Sequence, residues 1–221
     1  MDYHFNFSYI WRHFDRLFYG LVLSLELALV SIAIGMIIGL LLALVYVESG
    51  KSIRFFVASY VELIRNSPLL LLVYLIFYGI PSIGWFQYSA TTSFIVTLSI
   101  YSGAYLVEVF RSGLAAVPEG LIDAGKAIGM KPWQRLISIR IPTMFRIVLP
   151  ALSNTYISLF KDTSIASVIA VPELMYGAQW INFNTFRIIE VYAVITPMYL
   201  VTGYVILLSL RQVEKKFAIN K

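Results

Sequence analysis

The chain has 221 residues, of which 59% are hydrophobic and 13% are charged, and its mean hydropathy is +0.79. Because soluble globular domains carry about 25% charged residues, this composition excludes a water-soluble domain and indicates that most of the surface faces lipid. The formal charge of +5 does not indicate nucleic-acid binding, because the basic residues lie between and after the apolar runs, and the absence of cysteine excludes disulfides and thiolate metal sites.

Five apolar runs are long enough to cross a bilayer, which takes about 20 residues of helix. They cover about residues 20–47, 53–80, 89–111, 145–171 and 188–210. We therefore predict an all-α, polytopic membrane protein with about five transmembrane helices. In this prediction an interfacial segment at 1–19 precedes the transmembrane domain at 20–211, and a basic tail at 212–221 follows it.

The first apolar run carries small residues four positions apart, at Ser31, Gly35, Gly39 and Ala43. Because residues four apart share one face of a helix, these positions form a stripe without bulky side chains. The stripe predicts that the first crossing packs closely against another helix.

Basic residues are distributed unevenly between the two sides of the predicted crossings. One side receives Lys51, Arg54, Arg65, the basic residues between 111 and 146 and the tail, whereas the other keeps Arg12, Arg16 and Arg187. Lys and Arg accumulate in the cytoplasmic loops of membrane proteins. We therefore expect the loop at 112–142 and the C-terminus in the cytoplasm, and the N-terminus outside.

The loop at 112–142 contains a helix signal of its own. A Pro-Glu-Gly break at 118–120 precedes a short helix that we predict over about residues 121–128. Acidic Glu119 and Asp123 suit the N-terminal end of this helix, and Gly129 suits its C-terminal stop.

The same loop contains a pattern with fixed spacing: Asp123-Ala124-Gly125, then Gly129 after three residues, then Ile139, Ile141 and Pro142 after nine more. It resembles the EAA loop of ABC importer permeases, with Asp123 in place of Glu, Gly125 in place of the second Ala and Ile141 in place of Leu. The resemblance implies that the short helix is a coupling helix that docks on a cytoplasmic ATPase. The residues that we expect to couple the chain to this ATPase are Glu119, Gly120, Asp123, Ala124, Gly125, Gly129, Trp133 and Pro142. From charge alone, an ordinary polar loop explains the segment about as well.

Three further segments resemble the polar amino-acid branch of the same family. They are residues 161–169 followed by Pro172-Glu173-Leu174, residues 65–70 and residues 108–113. The resemblance covers about residues 20–210. It implies the type I ABC importer permease fold and uptake of a polar amino acid or amino-acid derivative, of the His, Glu, Gln, Arg or opine type.

Polar residues of the fourth apolar run predict a solute path without reference to any family. Asn154, Ser158 and Lys161 fall on one helical stripe, and an ionised side chain at the bilayer centre costs about 3 kcal/mol unless it is paired or lines a water-filled path. The candidates for this path are Asn154, Ser158, Lys161, Asp162, Thr163, Ser164, Arg65 and Glu108. The alternative is a structural ion pair of Lys161 or Asp162 with Glu62, Arg65 or Glu108.

No catalytic, metal or cofactor site is predicted in this chain. The sequence lacks a G-x-x-x-x-G-K-[ST] phosphate loop and a metal-ligand spacing, and neither His4 nor His13 stands in a catalytic pattern. We therefore expect a non-catalytic subunit, with ATP and Mg bound by partner subunits.

The family resemblance also implies partners and a place in the cell. They are two cytoplasmic ABC ATPase subunits, a second permease that is identical or homologous, and a periplasmic or surface-anchored solute-binding protein, assembled at the bacterial inner membrane. Transport would then proceed by alternating access. Two other classes stay open from the sequence: an ion-gradient-driven transporter that uses acids such as Glu26, Glu108 or Asp162, and a membrane scaffold that recruits a soluble protein through the basic loop.

Overall fold

A computed structural model describes residues 4–217 of the chain, and no strand is assigned among them. The α-helices are α1 (Ser8–Arg12), α2 (Phe14–Glu48), α3 (Lys51–Arg65), α4 (Leu69–Tyr74), α5 (Ile80–Ser82), α6 (Ala90–Ala115), α7 (Glu119–Ala127), α8 (Pro132–Arg135), α9 (Ile141–Asp162), α10 (Leu174–Thr185) and α11 (Ile188–Phe217). Two π-helical turns, Leu75–Gly79 and Leu136–Arg140, and one 3₁₀ segment, Thr163–Ile169, continue these helices.

Four described helical stretches are long and apolar enough to cross a membrane. They are Phe14–Glu48, Ala90–Ala115, Pro132–Ile169 and Ile188–Phe217. The bent pair Lys51–Arg65 and Leu69–Ser82 makes a fifth if it is counted as one span. The predicted all-α polytopic fold is confirmed.

At both ends of the chain, the helices continue beyond the predicted apolar runs and enter the predicted terminal segments. Helix α2 begins at Phe14, inside the segment at 1–19, and α11 continues through the tail to Phe217. Because Arg, Gln, Glu and Lys favour helix, the polar residues after Leu210 prolong α11 at little cost. Residues 1–3 and 218–221 of the two terminal segments lie outside the described residues.

The second predicted crossing is not one continuous helix, which corrects the expectation of an uninterrupted run at 53–80. The chain bends by 102° between Lys51–Arg65 and Leu69–Ser82. Pro68 causes the break, because proline has no amide hydrogen and its ring disfavours a helical backbone at Ser67. The Pro68 carbonyl then accepts hydrogen bonds from the amides of Leu71 and Leu72, where α4 begins.

The fourth predicted crossing also changes geometry before its end. Helix α9 ends at Asp162 rather than near 171, and the chain tightens into the 3₁₀ segment. Thr163 Oγ1 donates to the Phe160 carbonyl at 2.6 Å, and Ser164 Oγ donates to the Lys161 carbonyl at 2.8 Å. These hydroxyl groups satisfy carbonyls that the ending helix leaves without partners.

The described residues divide into two compact units. Unit 1 comprises residues 4–33, 67–99 and 156–206, and unit 2 comprises residues 34–66, 100–155 and 207–217. Unit 1 has a core that includes Ile10, Leu17, Leu174, Ile181 and Ile195. Unit 2 has a core that includes Val57, Val61, Leu106, Phe110, Leu114, Met144 and Val148.

Close packing of α2 against α6 in unit 2 confirms the prediction from the small-residue stripe. A Cβ atom at Gly39 would lie 2.7 Å from Leu106 Cβ and 3.0 Å from the Leu106 carbonyl carbon. A Cβ atom at Gly35 would likewise overlap the side chain of Ser102. Glycine is therefore required at both positions for the two helices to approach at this distance.

Candidate functional site

Helix α7 is the short helix that the sequence predicts in the loop at 112–142, and its ends have the predicted signals. It runs from Glu119 to Ala127, directly after Pro118. At its C-terminal end Gly129 has a φ of 78°, the Gly129 amide donates to the Lys126 carbonyl, and the Met130 amide donates to the Gly125 carbonyl, each at 3.0 Å. This is a Schellman motif, which stops the helix sharply and needs glycine at its left-handed position.

One side of α7 is packed against the segment that follows it in the chain. Gly125 is buried, and a Cβ atom there would lie 2.7 Å from Ile139 Cδ1 and 3.2 Å from Arg135 Cγ. Arg135 Nη1 donates to the Met130 carbonyl at 2.7 Å. Glycine in place of the family's second alanine therefore lets α7 lie closely on the turn that contains Ile139, and we call residues 119–140 the coupling segment.

The coupling segment exposes large apolar side chains beside polar ones. The exposed fractions are 46% for Leu121, 78% for Ile128 and 58% for Trp133. Asp123 forms an exposed ion pair with Lys126 at 2.8 Å. Exposed aliphatic and aromatic groups on a short, fixed helix are features of protein interfaces.

The remaining predicted coupling residues lie within or next to this segment. Gly120 and Ala124 are exposed on α7, and Pro142 is exposed near the start of α9. Gly120 has no heavy atom within 4 Å of where its Cβ would stand, so no close contact in this structure requires glycine there.

A polar cavity of about 480 Å³ lies in unit 2. Its lining contains two guanidinium groups, two carboxylates and two phenols, and it consists of Tyr46, Ala58, Val61, Glu62, Arg65, Asn66, Tyr105, Glu108 and Arg111. Of the predicted path residues, the cavity therefore brings Arg65 and Glu108 together. Acidic and basic groups in one cavity of this size suit a ligand that carries both charges.

Three contacts hold the basic side chains of the cavity in place. Arg111 Nη2 pairs with Glu108 Oε2 at 2.6 Å, and its guanidinium lies 5.2 Å from the centre of the Tyr46 ring. The Arg65 guanidinium lies 5.1 Å from the centre of the Tyr105 ring. The aromatic faces attract the cations without neutralising them.

Glu62 and Arg65 stand three residues apart on α3, a spacing that allows an ion pair between them. The structure describes both residues and records no such pair. The ion pairs recorded between residues 4 and 217 include neither side chain. Among residues 4–217, the Glu62 carboxylate and the Arg65 guanidinium of the cavity thus have no recorded ionic partner, and they lie beside the Glu108–Arg111 pair in its lining.

Sequence reasoning missed three contributors to the cavity: Tyr46, Tyr105 and Arg111. From the sequence, Arg111 stands among the basic residues that indicate orientation and within the family-like segment at 108–113, but not among the candidates for the solute path. The spacing of Glu108 and Arg111 on one helix could have indicated their pairing. No local signal marks the two tyrosines, which reach the cavity through the packing of separate helices.

The polar residues of the fourth crossing have different environments. Asn154, Ser158 and Lys161 are exposed and Asp162 is half-buried, in agreement with one polar stripe. The ion pairs recorded in the described part of the chain do not include Lys161 or Asp162.

Thr163 and Ser164 use their hydroxyl groups within the chain. The Thr163 side chain is fully buried, and both hydroxyls donate to carbonyls at the end of α9, as described above. In this conformation the two residues shape the end of the helix rather than present free donors.

Glu173 forms a buried polar cluster in unit 1 that sequence reasoning noted only as part of a family segment. Its carboxylate caps α10, accepting hydrogen bonds from the amides of Met175 at 2.9 Å and Tyr176 at 2.8 Å. Ser24 Oγ and the Tyr199 hydroxyl donate to the same carboxylate at 3.2 and 3.1 Å. Burial raises the pKa of Glu173 to about 7, while these four donors oppose the rise.

The described residues contain no group of His, Asp and Glu side chains arranged to hold a metal ion. The polar cavity of unit 2 is lined mainly by charged and aromatic side chains.

Comparisons with known proteins agree with the resemblance found in the sequence. Residues 35–219 match the family described as binding-protein-dependent transport system inner membrane component. The probable glutamine ABC transporter permease protein GlnP of Bacillus subtilis (strain 168) is 33% identical over 210 residues, which cover 94% of this chain and 96% of that protein. The L-cystine transport system permease protein TcyB of the same organism is 34% identical over 198 residues, which cover 89% of this chain and 84% of that protein.

A solved structure extends the agreement to the fold. The crystal structure of an amino acid ABC transporter with histidines contains a chain that superposes with a TM-score of 0.89 at 31% identity, covering 97% of this chain and all of that one. The family match covers more than half of the chain, and it agrees with the loop pattern around α7. The chain therefore belongs to the family of inner membrane components of binding-protein-dependent transport systems, the permease subunits of ABC importers.

Proposed function

We propose that this chain is the permease subunit through which a polar amino acid, or a derivative of one, crosses the inner membrane. Its relatives are named for glutamine and L-cystine transport, and the similar solved structure is that of an amino acid transporter. These solutes share a carboxylate and an ammonium group. The proposed solute is any member of that chemical class.

The observation that carries the proposal is the coupling segment. A short helix with a sharp glycine stop is fixed on its own following turn, and the coupling segment exposes Leu121, Ile128 and Trp133. Such a body fits a groove on a soluble partner and moves with it as one piece. We assign the ATPase subunits as that partner, with Glu119, Gly120, Asp123, Ala124, Trp133 and Pro142 at or beside the contact.

We propose that the polar cavity of unit 2 is part of the solute path. The guanidinium of Arg65 suits the carboxylate of an amino acid, and the carboxylate of Glu62 suits its ammonium group. The exposed stripe of Asn154, Ser158 and Lys161, with Asp162 beside it, is a second polar surface for the path. Neither surface depends on a cofactor held by this chain.

The complete importer then contains two cytoplasmic ATPase subunits that bind ATP and Mg, a second permease and an external solute-binding protein. The N-terminus lies outside and the C-terminus in the cytoplasm, as the distribution of Lys and Arg predicts. ATP binding draws the ATPases together and carries the coupling segment with them, so that the crossings alternate between outward and inward openings.

Reconstitution tests this proposal. The chain, assembled with its ATPase subunits and solute-binding protein in proteoliposomes, should take up a polar amino acid only when ATP and Mg are supplied on the ATPase side. Uptake that persists with catalytically inactive ATPases, and that follows an imposed ion gradient, would contradict it.

The same assay tests the cavity. Arg65→Gln should lower solute affinity about tenfold or more, because a hydrogen bond to a charged group contributes about 1.5–3 kcal/mol. Arg211→Gln, which removes an exposed cation from the end of α11, is the matched control. Equal affinities in the two variants would remove Arg65 from the path.

A further inference from the structure

We propose that the ion pair between Arg140 and Glu48 carries movement of the coupling segment to the polar cavity, making both residues positioning residues for transport. This inference rests on the proposed function. Neither side chain belongs to the family-like loop pattern or to the predicted solute path. The contacts that link α7 to the cavity lie within unit 2.

The first step links α7 to Arg140. Gly125 of α7 lies directly on Ile139 and Arg135, and Arg135 holds the Met130 carbonyl beyond the end of α7. Arg140 follows Ile139 and is the last residue of the π-helical turn. A partner that displaces α7 therefore displaces Arg140 as well.

The second step links Arg140 to the end of the first crossing. Arg140 Nη1 lies 2.9 Å from Glu48 Oε1, across 92 positions of sequence. Glu48 is the last residue of α2. The Arg140 side chain is only 21% exposed, and its Nε is buried without a hydrogen-bond partner, so Glu48 is an important partner of this guanidinium.

The third step links the end of α2 to the cavity. Arg54 of α3 donates from Nε to the Tyr46 carbonyl and from Nη2 to the Val47 carbonyl, both at 3.0 Å. These bonds fasten the last turn of α2 to α3, the helix that carries Glu62 and Arg65. The ring of Tyr46 itself lines the cavity beneath Arg111.

Apolar contacts accompany this route but have a different effect. Ile122, Tyr46 and Val47 pack against the hydrophobic core of unit 2. Hydrophobic contact is non-directional, so it holds the parts together while permitting sliding. A charge-assisted hydrogen bond has a defined distance and direction, so the Arg140–Glu48 pair fixes the register between the coupling segment and α2.

The pair is suited to a role in coupling rather than in stability. Glu48 is 58% exposed, and ion pairs with exposed partners contribute little to the stability of a fold. Loss of the pair should leave the protein folded while the end of α2 no longer follows the coupling segment. ATP hydrolysis would then continue with less solute moved.

A double-mutant cycle in the assembled transporter tests the inference. Glu48→Gln and Arg140→Gln should each lower the amount of solute carried per ATP hydrolysed by about 2- to 30-fold, the range for residues that modulate coupling between sites. The double variant should lose no more than either single variant. Lys51→Gln, which removes an exposed charge three positions after Glu48, is the matched control and should retain the full ratio.

Melting temperatures of the same variants separate coupling from structure. Unchanged melting temperatures together with a lowered, non-additive ratio support the inference. An unchanged ratio, additive losses, or a ratio that falls only together with the melting temperature would overturn it. Should the unsubstituted complex hydrolyse ATP without moving any solute, the proposed function itself fails, and this inference fails with it.

Discussion

Glu173 is an acid in a fully buried position outside the candidate membrane spans. Burial disfavours its charged form and raises its pKa to about 7, well above the ordinary value of 4.5. Two amides and two hydroxyls donate to the carboxylate and limit that rise. Because the folded state binds this proton more tightly than the unfolded chain does, the side chain stabilises the fold fully below pH 4.5 and loses that contribution as the pH rises through about 7.

Replacing Glu173 with glutamine should remove this pH dependence. The amides of Met175 and Tyr176 donate to different carboxylate oxygens, so glutamine keeps an acceptor for one of them only, and it cannot ionise. The stability of the unsubstituted protein should fall between about pH 4.5 and pH 8, with a free-energy change of up to about 3 kcal/mol, and its melting temperature should fall with it, whereas that of Glu173→Gln should stay nearly level.

Asp15→Asn, at an exposed position of the same unit, is the control for this pH series and should behave like the unsubstituted protein. A Glu173→Gln variant whose melting temperature falls as steeply as that of the control would show that other groups cause the dependence.

Helix α7 could be predicted from the sequence because its signals are local. Pro118, Glu119 and Gly129 mark its ends within a dozen residues, and the Schellman motif places Gly129 where glycine has the least conformational cost. The bend at Pro68 is equally local, and a strict reading of that proline would have replaced the continuous second crossing with two helices. The 3₁₀ segment after Asp162 has no comparable sequence mark.

Gly129→Val should uncouple transport from ATP hydrolysis. A valine at a φ of 78° costs at least about 1–2 kcal/mol, which α7 can avoid only by unwinding its last turn. ATPase activity should persist while uptake per ATP falls severalfold, and both are measured in the same proteoliposomes.

Gly84→Val is the matched control, because Gly84 has a φ of 80° and no heavy atom within 4 Å of its Cβ position, in the turn before α6. It should strain the backbone to a similar degree without lowering uptake per ATP. Equal uncoupling by both substitutions would show that strain alone, and not the shape of α7, causes the effect.

The class of fold and the family could be predicted from the sequence, whereas the cavity as a whole could not. The bilayer determines how long an apolar run must be and on which side Lys and Arg accumulate. Both patterns can therefore be recognised within single segments of the sequence. The cavity joins Tyr46, Glu62, Arg65, Tyr105 and Arg111 from three helices. Their proximity depends on how α2, α3 and α6 pack, which no single segment specifies.

The orientation of the chain can be tested directly because it has no cysteine. Gln87→Cys, in the exposed turn before α6, should react with a membrane-impermeant thiol reagent in intact cells. Ser138→Cys, exposed in the coupling segment, should react only after the membrane is opened. The opposite labelling pattern would place the coupling segment outside the cell and exclude an ATPase contact there.

The balance of charge in the cavity of unit 2 has an electrical consequence. Two arginines and two glutamates together contribute no net charge, so a zwitterionic solute enters a site that is neutral before and after binding. The membrane potential then does no work on the passing solute, whereas a solute with one net positive charge would gain about 2.3 kcal/mol per 100 mV. With the cavity as the proposed solute path, we therefore expect the energy available for accumulating a zwitterion not to include a contribution from the membrane potential acting on the solute.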